Sequence, residues 1–184
     1  MGLRASPTVQ LNFDNLRVPR SNLLGQEGSG FIYAMQSLDN GRLGIAAQAI
    51  GIAEAALRYS SRYAAERRQF GKPIKEFEAI QFKLADIAMR VSAGRSLLHA
   101  AATAKDRGEH VTQFSAMAKL FASETAMEIA LDAVRIHGGY GYSTELDVER
   151  YFRDAPLMIV GEGTNEIQRN VIAGELVRRG SVAP

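Results

Sequence analysis

The stretch that decides the fold is residues 30 to 67, "GFIYAMQSLDNGRLGIAAQAIGIAEAALRYSSRYAAER". Large apolar side chains recur in it at helical spacing, with many alanines between them, which is typical of an α-helix with one buried face. These side chains are Phe31, Met35, Leu38, Ile45, Ile52 and Leu57. The spacing predicts one long helix from about Gly30 to about Arg67.

The sequence that follows predicts four more helices. Pro73, in "FGKPI" at 70 to 74, cannot continue a helix, and the pair Gly138-Gly139 is a natural helix stop. We place these helices at about 77–105, 111–136, 145–154 and 165–179. Long helices with short connections lie antiparallel. The predicted fold class is therefore all-α, an up-down four-helix bundle with extra short helices at its C-terminal end.

Residues 8 to 18, "TVQLNFDNLRV", alternate apolar and polar side chains. That period predicts a half-buried β-strand. One strand cannot form a domain, so we interpret it as the edge of a sheet whose remainder lies outside this chain. Glycines at 25, 28 and 30 mark a linker. The predicted organisation is a terminal strand and linker over 1–25 and a helical domain over 26–184.

Composition narrows the classes of function. A chain of 184 residues with 46% hydrophobic content is sufficient for one buried core. It has no cysteine, which excludes a disulfide framework and thiolate metal sites, and its three scattered histidines make no metal site. The net charge of +2 and the alternating charge signs give no basis for nucleic-acid binding, and no apolar run is long enough for a membrane span. We expect a cytoplasmic protein, or a mitochondrial matrix protein if the source is eukaryotic.

Three short motifs carry the chemistry. In "GEGTNEIQR" (161 to 169) a carboxylate stands between two glycines before a helix, where it either stabilises the helix dipole or reaches a ligand. In "ERRQFGKPI" (66 to 74) the arginines are either a solvated helix cap or an anion contact. In "RIHGGYGYSTELDVERYFRDA" (135 to 155) adjacent glycines expose N–H groups that suit phosphate oxygens.

The order and spacing of these motifs resemble the C-terminal half of flavin-dependent acyl-CoA dehydrogenases, over essentially the whole chain. The resemblance implies the four-helix C-terminal domain of a three-domain subunit, assembled as a dimer or tetramer. It implies FAD as cofactor, an acyl-CoA thioester as substrate and electron-transfer flavoprotein as partner. In this family a base removes the α-proton while the β-hydrogen passes to the flavin as hydride, which gives a 2-enoyl-CoA.

The same resemblance assigns residues. It makes Glu162 the catalytic base, with its own backbone N–H as one donor to the thioester oxygen. Asp39, Arg42 and Gly163 are placed at the substrate, although Asp39 and Arg42 also fit a surface ion pair at i, i+3. The residues assigned to FAD are Arg67, Gln69, Phe70, Glu78, Arg135, Gly138, Gly139, Thr164 and Glu166.

The sequence departs from the family pattern at several positions. Some relatives carry the base on the first long helix, at the position of Gly41, so no carboxylate there competes with Glu162. Residue 161, a tyrosine in several relatives, is glycine. Glu78 and Arg135 replace two common glutamines, and we predict that they form an ion pair across subunits.

Two other functions stay open at this point. In the first, the chain is a helical module that serves oligomerisation without catalysis. In the second, it is a fragment of an acyl-CoA oxidase, which shares the motifs and passes electrons to oxygen. The isolated chain is expected to be inactive, because it supplies one wall of the flavin pocket.

Overall fold

The computed structural model describes residues 1–181, in which five α-helices make up most of the chain. The helices are α1 (Gly30–Glu66), α2 (Glu78–Asp106), α3 (Thr112–His137), α4 (Val148–Val160) and α5 (Asn165–Arg179). Short 3₁₀ segments lie at Arg20–Asn22, Ile74–Glu76 and Gly138–Tyr142. The predicted all-α fold class is confirmed, and the three long helices begin and end within about a residue of the predicted positions.

The α1–α2 connection is a small antiparallel hairpin of β1 (Arg68–Gln69) and β2 (Lys72–Pro73). Its two-residue loop has positive φ at both positions, +52° at Phe70 and +81° at Gly71. Positive φ at both loop residues is the type I′ pattern, which matches the twist of the paired strands. The turn leaves the Phe70 side chain 92% exposed.

Helix α3 is the central element, since it packs against each of the other four helices. Helix α3 packs most extensively against α1, and many of the buried side chains on both helices are alanines, which let two helix backbones approach closely. The buried alanines are Ala46, Ala49, Ala53, Ala56 and Ala64 on α1, and Ala116, Ala118, Ala122, Ala126, Ala130 and Ala133 on α3. This interface sets how the two helices lie along one another.

The prediction for α4 was wrong at both ends. The helix begins at Val148 and continues to Val160, through Pro156, whereas the sequence was interpreted as a helix over 145–154. A proline inside a helix removes one hydrogen bond. Here Ala155 and Met158 are fully buried on either side of it, and this burial offsets the lost bond.

Residues 8 to 18 form no strand in the described structure. They are exposed irregular chain, and Leu11 and Phe13 are each 71% exposed. A β-strand needs a partner for its backbone N–H and C=O groups, and across residues 1–181 the only strands are the two of the short hairpin. The division at residue 25 stays a prediction. Within the same residues no helix has the length and apolar content needed to span a membrane.

The alanine interface gives a first prediction. Ala53→Leu adds three carbon atoms where α1 has no free space, and it should lower the free energy of unfolding by about 1 to 3 kcal/mol. Ala47→Leu, on an exposed position of the same helix, is the matched control and should change stability little. Urea unfolding of both variants measures the difference. Equal effects of the two substitutions would contradict the tight α1–α3 contact.

Candidate active site

The loop between α4 and α5 carries the predicted base in an unusual backbone conformation. Glu162 has φ +54° and Gly163 has φ +85°. A non-glycine residue with positive φ is strained and persists only where its surroundings fix it. The Thr164 hydroxyl then accepts a hydrogen bond from the Ile167 N–H at 3.4 Å and caps α5.

The Glu162 side chain lies directly against α1 at Gly41. A Cβ atom placed on Gly41 would be 2.2 Å from Oε2 of Glu162 and 2.5 Å from its Cδ. Any larger residue at position 41 would therefore displace the carboxylate. The structure thus brings residues 41 and 162 together, and the absence of a side chain at Gly41 leaves room for the Glu162 carboxylate.

Asp39 and Arg42 lie beside this carboxylate on α1. Arg42 is 6% exposed, and its Nη1 donates to Oδ1 of Asp39 at 2.6 Å. The other oxygen of Asp39 accepts from the Thr112 hydroxyl at 2.7 Å, which ties α1 to the first turn of α3. Among residues 1–181 the buried Nε of Arg42 has no hydrogen-bond partner. The pair is therefore partly buried and carries a spare donor, unlike a fully exposed surface ion pair.

Lys119 of α3 forms hydrogen bonds with the loop between α4 and α5 from the interior of the bundle. Its side chain is fully buried, and its ammonium donates to three oxygens of the segment around Glu162. These are the carbonyls of Ile159 at 2.8 Å and Gly163 at 2.9 Å, and Oδ1 of Asn165 at 2.8 Å. An ammonium group has three donors, so the site uses all of them.

Gln168 completes the support from α5. It is fully buried, and its Nε2 donates to the carbonyls of Glu162 at 3.2 Å and Gly163 at 2.9 Å. Ser123 donates to Oδ1 of Asn165 at 3.0 Å. Side chains of α3 and α5 thus hold the peptide groups on both sides of the strained residue.

Burial lowers the pKa of Lys119 from its usual 10.5 to about 8, because removal from water disfavours the charged form. Nearby carboxylates, Glu166 first, oppose this shift, and Arg42 adds to it. The pKa of Glu166 is itself lowered, chiefly by a hydrogen bond from its own backbone N–H and then by Thr164. Glu166 thus stays ionised at the N-terminus of α5, where a negative charge is favoured.

A second group of predicted residues lines a groove of about 640 Å³ at the other end of α1. Arg67 and Gln69 come from the end of α1 and the hairpin, and Arg135, Gly138 and Gly139 from the end of α3. A Cβ on either glycine would meet nothing within 4 Å. The backbone there is open to a ligand.

The groove carries more positive than negative charge. The guanidinium of Arg67 lies 5.3 Å from the centre of the Tyr140 ring, and in residues 1–181 it has no carboxylate within salt-bridge distance. Arg135 is 62% exposed and 3.3 Å from Asp132. Burial lowers the pKa of His137, so this lining residue is neutral at pH 7. Two arginines are available to an anion.

The remaining predicted cofactor residues lie outside this groove. Phe70 projects from the hairpin into solvent, and Glu78 is exposed in the first turn of α2. Thr164 and Glu166 lie with Glu162. Within one chain Arg135 is next to Asp132, and the predicted contact of Glu78 with Arg135 across subunits stays a prediction.

The predicted residues therefore form two separate groups. Arg42 lies on α1 and Arg67 directly follows its last residue, so the 25 residues between them correspond to roughly 37 Å at ~1.5 Å per residue. One group surrounds Glu162, and the other surrounds the groove at Arg67.

Sequence reasoning missed the residues that support the loop. Lys119, Thr112 and Ser123 received no role, and Gln168 and Asn165 were quoted only as part of a motif. A signal existed for Lys119. It stands at i, i+3, i+4 and i+7 spacing with Ala122, Ser123 and Ala126, so it shares the buried face of α3.

Comparison with known proteins assigns the family. The model of the acyl-CoA dehydrogenase C-terminal domain matches residues 28–177, which is most of the chain. The bundle, with its carboxylate-bearing loop at one end and its basic groove at the other, therefore corresponds to this C-terminal domain. The chain belongs to the acyl-CoA dehydrogenase family.

Individual relatives agree. The chain is 52% identical over 178 residues to the mitochondrial short-chain specific acyl-CoA dehydrogenase of Rattus norvegicus, covering 97% of this chain and 43% of that protein. The structure of butyryl-CoA dehydrogenase from Megasphaera elsdenii matches with a TM-score of 0.89 and 50% identity, over 90% of this chain and 43% of that one. A chain in the structure of the electron transferring flavoprotein of Acidaminococcus fermentans matches with a TM-score of 0.89 and 49% identity, over 90% and 44%. The chain spans less than half the length of these relatives.

The contact at Gly41 gives a second prediction. Gly44→Ala should raise the free energy of unfolding by about 0.5 to 1 kcal/mol, because alanine is the better helix former and its Cβ meets nothing within 4 Å. Gly41→Ala should gain less, because its Cβ overlaps Glu162, and the carboxylate should be displaced in a crystal structure. An unmoved Glu162 in the Gly41→Ala variant would contradict the described contact.

The pKa of Lys119 gives a third prediction. Because it is lower in the folded chain than in the unfolded one, the unfolded state binds more protons between about pH 8 and pH 10.5. Lys119 therefore disfavours folding at neutral pH, and this effect disappears as pH rises through that window. The free energy of unfolding of the parent, minus that of Lys119→Met, should rise from about pH 8 to pH 10.5. A difference that is flat with pH would refute the lowered pKa.

Proposed function

We propose that this domain supplies the catalytic base for α,β-dehydrogenation of an acyl-CoA thioester, and that the base is Glu162. The observation that carries the proposal is the placement of its carboxylate against Gly41, on a strained loop braced by Lys119 and Gln168. A base acts only when it is held within about 3 Å of the proton that it removes. The bracing of this loop supports that role over simple stabilisation of the α5 dipole.

In the proposed reaction, the α-hydrogen and the β-hydrogen of the substrate leave to two different acceptors. The Glu162 carboxylate takes the proton from the α-carbon, and its own backbone N–H donates to the thioester oxygen, which stabilises the enolate charge that develops there. A bound flavin supplies the acceptor for the β-hydrogen and its two electrons, and a double bond forms between the two carbons. Asp39 and Arg42 orient the substrate, and the spare Nε of Arg42 is suited to an oxygen of it.

The groove at Arg67 fits the diphosphate of FAD. A guanidinium presents a planar set of donors that suits phosphate oxygens, and Arg67 and Arg135 both line the groove. Gly138 and Gly139 leave the backbone N–H groups accessible. The exposed Phe70, held at positive φ on the hairpin, would contact the cofactor from beside the groove.

The separation of the two groups favours a homo-oligomer. We infer that the groove of one subunit serves the FAD whose ring lies at the Glu162 of another, since roughly 37 Å separates the groups along α1. Electron transfer onward to an electron-transfer flavoprotein is part of the same proposal, and the match to a chain in an electron transferring flavoprotein structure supports it.

The alternatives lead to different measurements. A non-catalytic oligomerisation module gives no reason for a strained loop that holds a carboxylate over a glycine, which weighs against it. An acyl-CoA oxidase would use the same base and differ in passing electrons to oxygen, so oxygen consumption by the full-length enzyme separates it from a dehydrogenase.

A substitution of the base tests the proposal directly. In a full-length enzyme that contains this domain, Glu162→Gln should slow flavin reduction by acyl-CoA by roughly 10²-fold or more, because an amide does not accept the proton. Glu54→Gln, an exposed acid paired with Arg95 on the bundle surface, is the control and should react at the parent rate. Flavin bleaching in stopped flow measures both. Near-parental reduction with Glu162→Gln would place the base elsewhere.

A substitution in the groove tests the cofactor contact. Arg67→Ala should weaken FAD retention by about 2 kcal/mol, roughly 30-fold in dissociation constant, if the guanidinium binds phosphate away from water. Arg95→Ala removes an exposed arginine of α2 that pairs with Glu54, and it should leave retention unchanged. The ratio of flavin to protein absorbance after dialysis measures both. Full flavin occupancy in Arg67→Ala would mean that this arginine is only a helix cap.

A further inference from the structure

The buried ammonium of Lys119 forms no ion pair at hydrogen-bond distance in the described chain, where buried cations are usually paired with a carboxylate. Its three partners are neutral oxygens, and all three belong to residues 159 to 165. Lys119 therefore connects α3 with the last turn of α4, the loop and the first residue of α5.

The three oxygens lie on both sides of the base along the chain. The carbonyl of Ile159 precedes Glu162 by three residues, that of Gly163 follows it directly, and the Asn165 side chain stands three residues after it. Hydrogen bonds to backbone and side-chain groups on both sides of a residue restrict the φ and ψ values that it can adopt. These contacts hold the loop in which Glu162 and Gly163 have positive φ, a conformation that persists only where its surroundings fix it.

The position also agrees with the helix dipoles. The carbonyl of Ile159 lies in the last turn of α4, where the partial negative charge of a helix end favours a cation. Charged groups of the surrounding elements act on Lys119 as well. Arg42 of α1 opposes its charge, while Glu124 of α3, Glu162 of the loop and Glu166 of α5 favour it.

We propose that Lys119 is a positioning residue, whose ammonium fixes the loop between α4 and α5 and so holds the Glu162 carboxylate over Gly41. The inference rests on the proposed function of Glu162. The positioning role goes beyond the proposed function of Glu162, because it predicts that Lys119, which contacts neither substrate nor flavin, affects the rate of proton removal.

Stability separates this role from a structural one. A buried charge disfavours folding, and replacement of such groups by apolar residues is often neutral or stabilising. The chain also keeps other donors at two of the three oxygens, because Gln168 bonds Gly163 and Ser123 bonds Asn165. Lys119→Met should therefore fold, with a melting temperature equal to or above that of the parent, while its loop loses order.

The first experiment uses this chain alone. Hydrogen–deuterium exchange of the backbone amides at 161 to 164 should be at least 10-fold faster in Lys119→Met than in the parent. Lys83→Met is the matched control, since Lys83 pairs with Asp132, 13 residues or roughly 20 Å along α3 from Lys119. Its exchange at 161 to 164 should equal that of the parent. Lys119→Arg keeps a charged donor and should fall between the two.

The second experiment uses a full-length enzyme that contains this domain. Lys119→Met should slow flavin reduction at saturating acyl-CoA by about 10- to 100-fold, the loss that a base displaced by about 1 Å entails. KM should change much less, because the substrate contacts of Asp39 and Arg42 remain. The flavin content should equal that of the parent.

The outcomes distinguish the two proposals. Parental exchange at 161 to 164 in Lys119→Met would overturn the positioning role, and so would a parental rate of flavin reduction. A lowered melting temperature with uniformly faster exchange along the chain would also overturn it, since Lys119 would then be only structural. If the Glu162→Gln enzyme keeps its rate, the proposed function fails, and the exchange comparison still decides whether Lys119 orders the loop.

Discussion

The close packing of α1 against α3 is the constraint on which the rest of the structure depends. Alanines on both helices allow this approach, and it brings Gly41 of α1 and Lys119 of α3 to the same end of the bundle. The loop between α4 and α5 then fits between them. The Glu162 carboxylate contacts α1 at Gly41, and carbonyl oxygens of the loop accept hydrogen bonds from the Lys119 ammonium of α3. A wider interface would separate these two contacts.

The long helices could be predicted from the sequence because their signals are local. Apolar spacing and glycine or proline stops gave α1, α2, α3 and α5 within about a residue. The end of α4 could not be predicted in this way. Whether a helix passes through Pro156 depends on what its neighbours bury, here Ala155 and Met158. The strand expected at 8 to 18 depends on a partner that residues 1–181 do not supply.

In the candidate site too, residues with local sequence signals could be predicted, and residues placed by tertiary contacts could not. Glu162, Arg67 and the glycine pair stand in short motifs, so the sequence singled them out, and a family resemblance gave each a role. Lys119 lies 43 residues before Glu162, and only the fold brings it to the loop. Its i, i+3 and i+4 spacing with buried small residues identified its face, but not the three carbonyl and amide oxygens that accept its protons. Local chemistry is visible in sequence, whereas the positioning of that chemistry is a tertiary property.

The basic residues at the two ends of the bundle differ in how deeply they are buried. At the groove, Arg67 and Arg135 remain exposed or partly exposed, and charge is held available at little cost in desolvation. At the loop, Arg42 and Lys119 are buried, and their charges are stabilised by oxygens of the chain. If the groove binds the diphosphate as proposed, a hydrated cation there would exchange its solvation for phosphate contacts when the ligand binds. A cation that must hold a backbone in one strained conformation is most effective where water cannot compete for its donors. In the proposed function, the exposed basic residues would meet a ligand from outside the chain, whereas the buried ones hold oxygens of the chain itself.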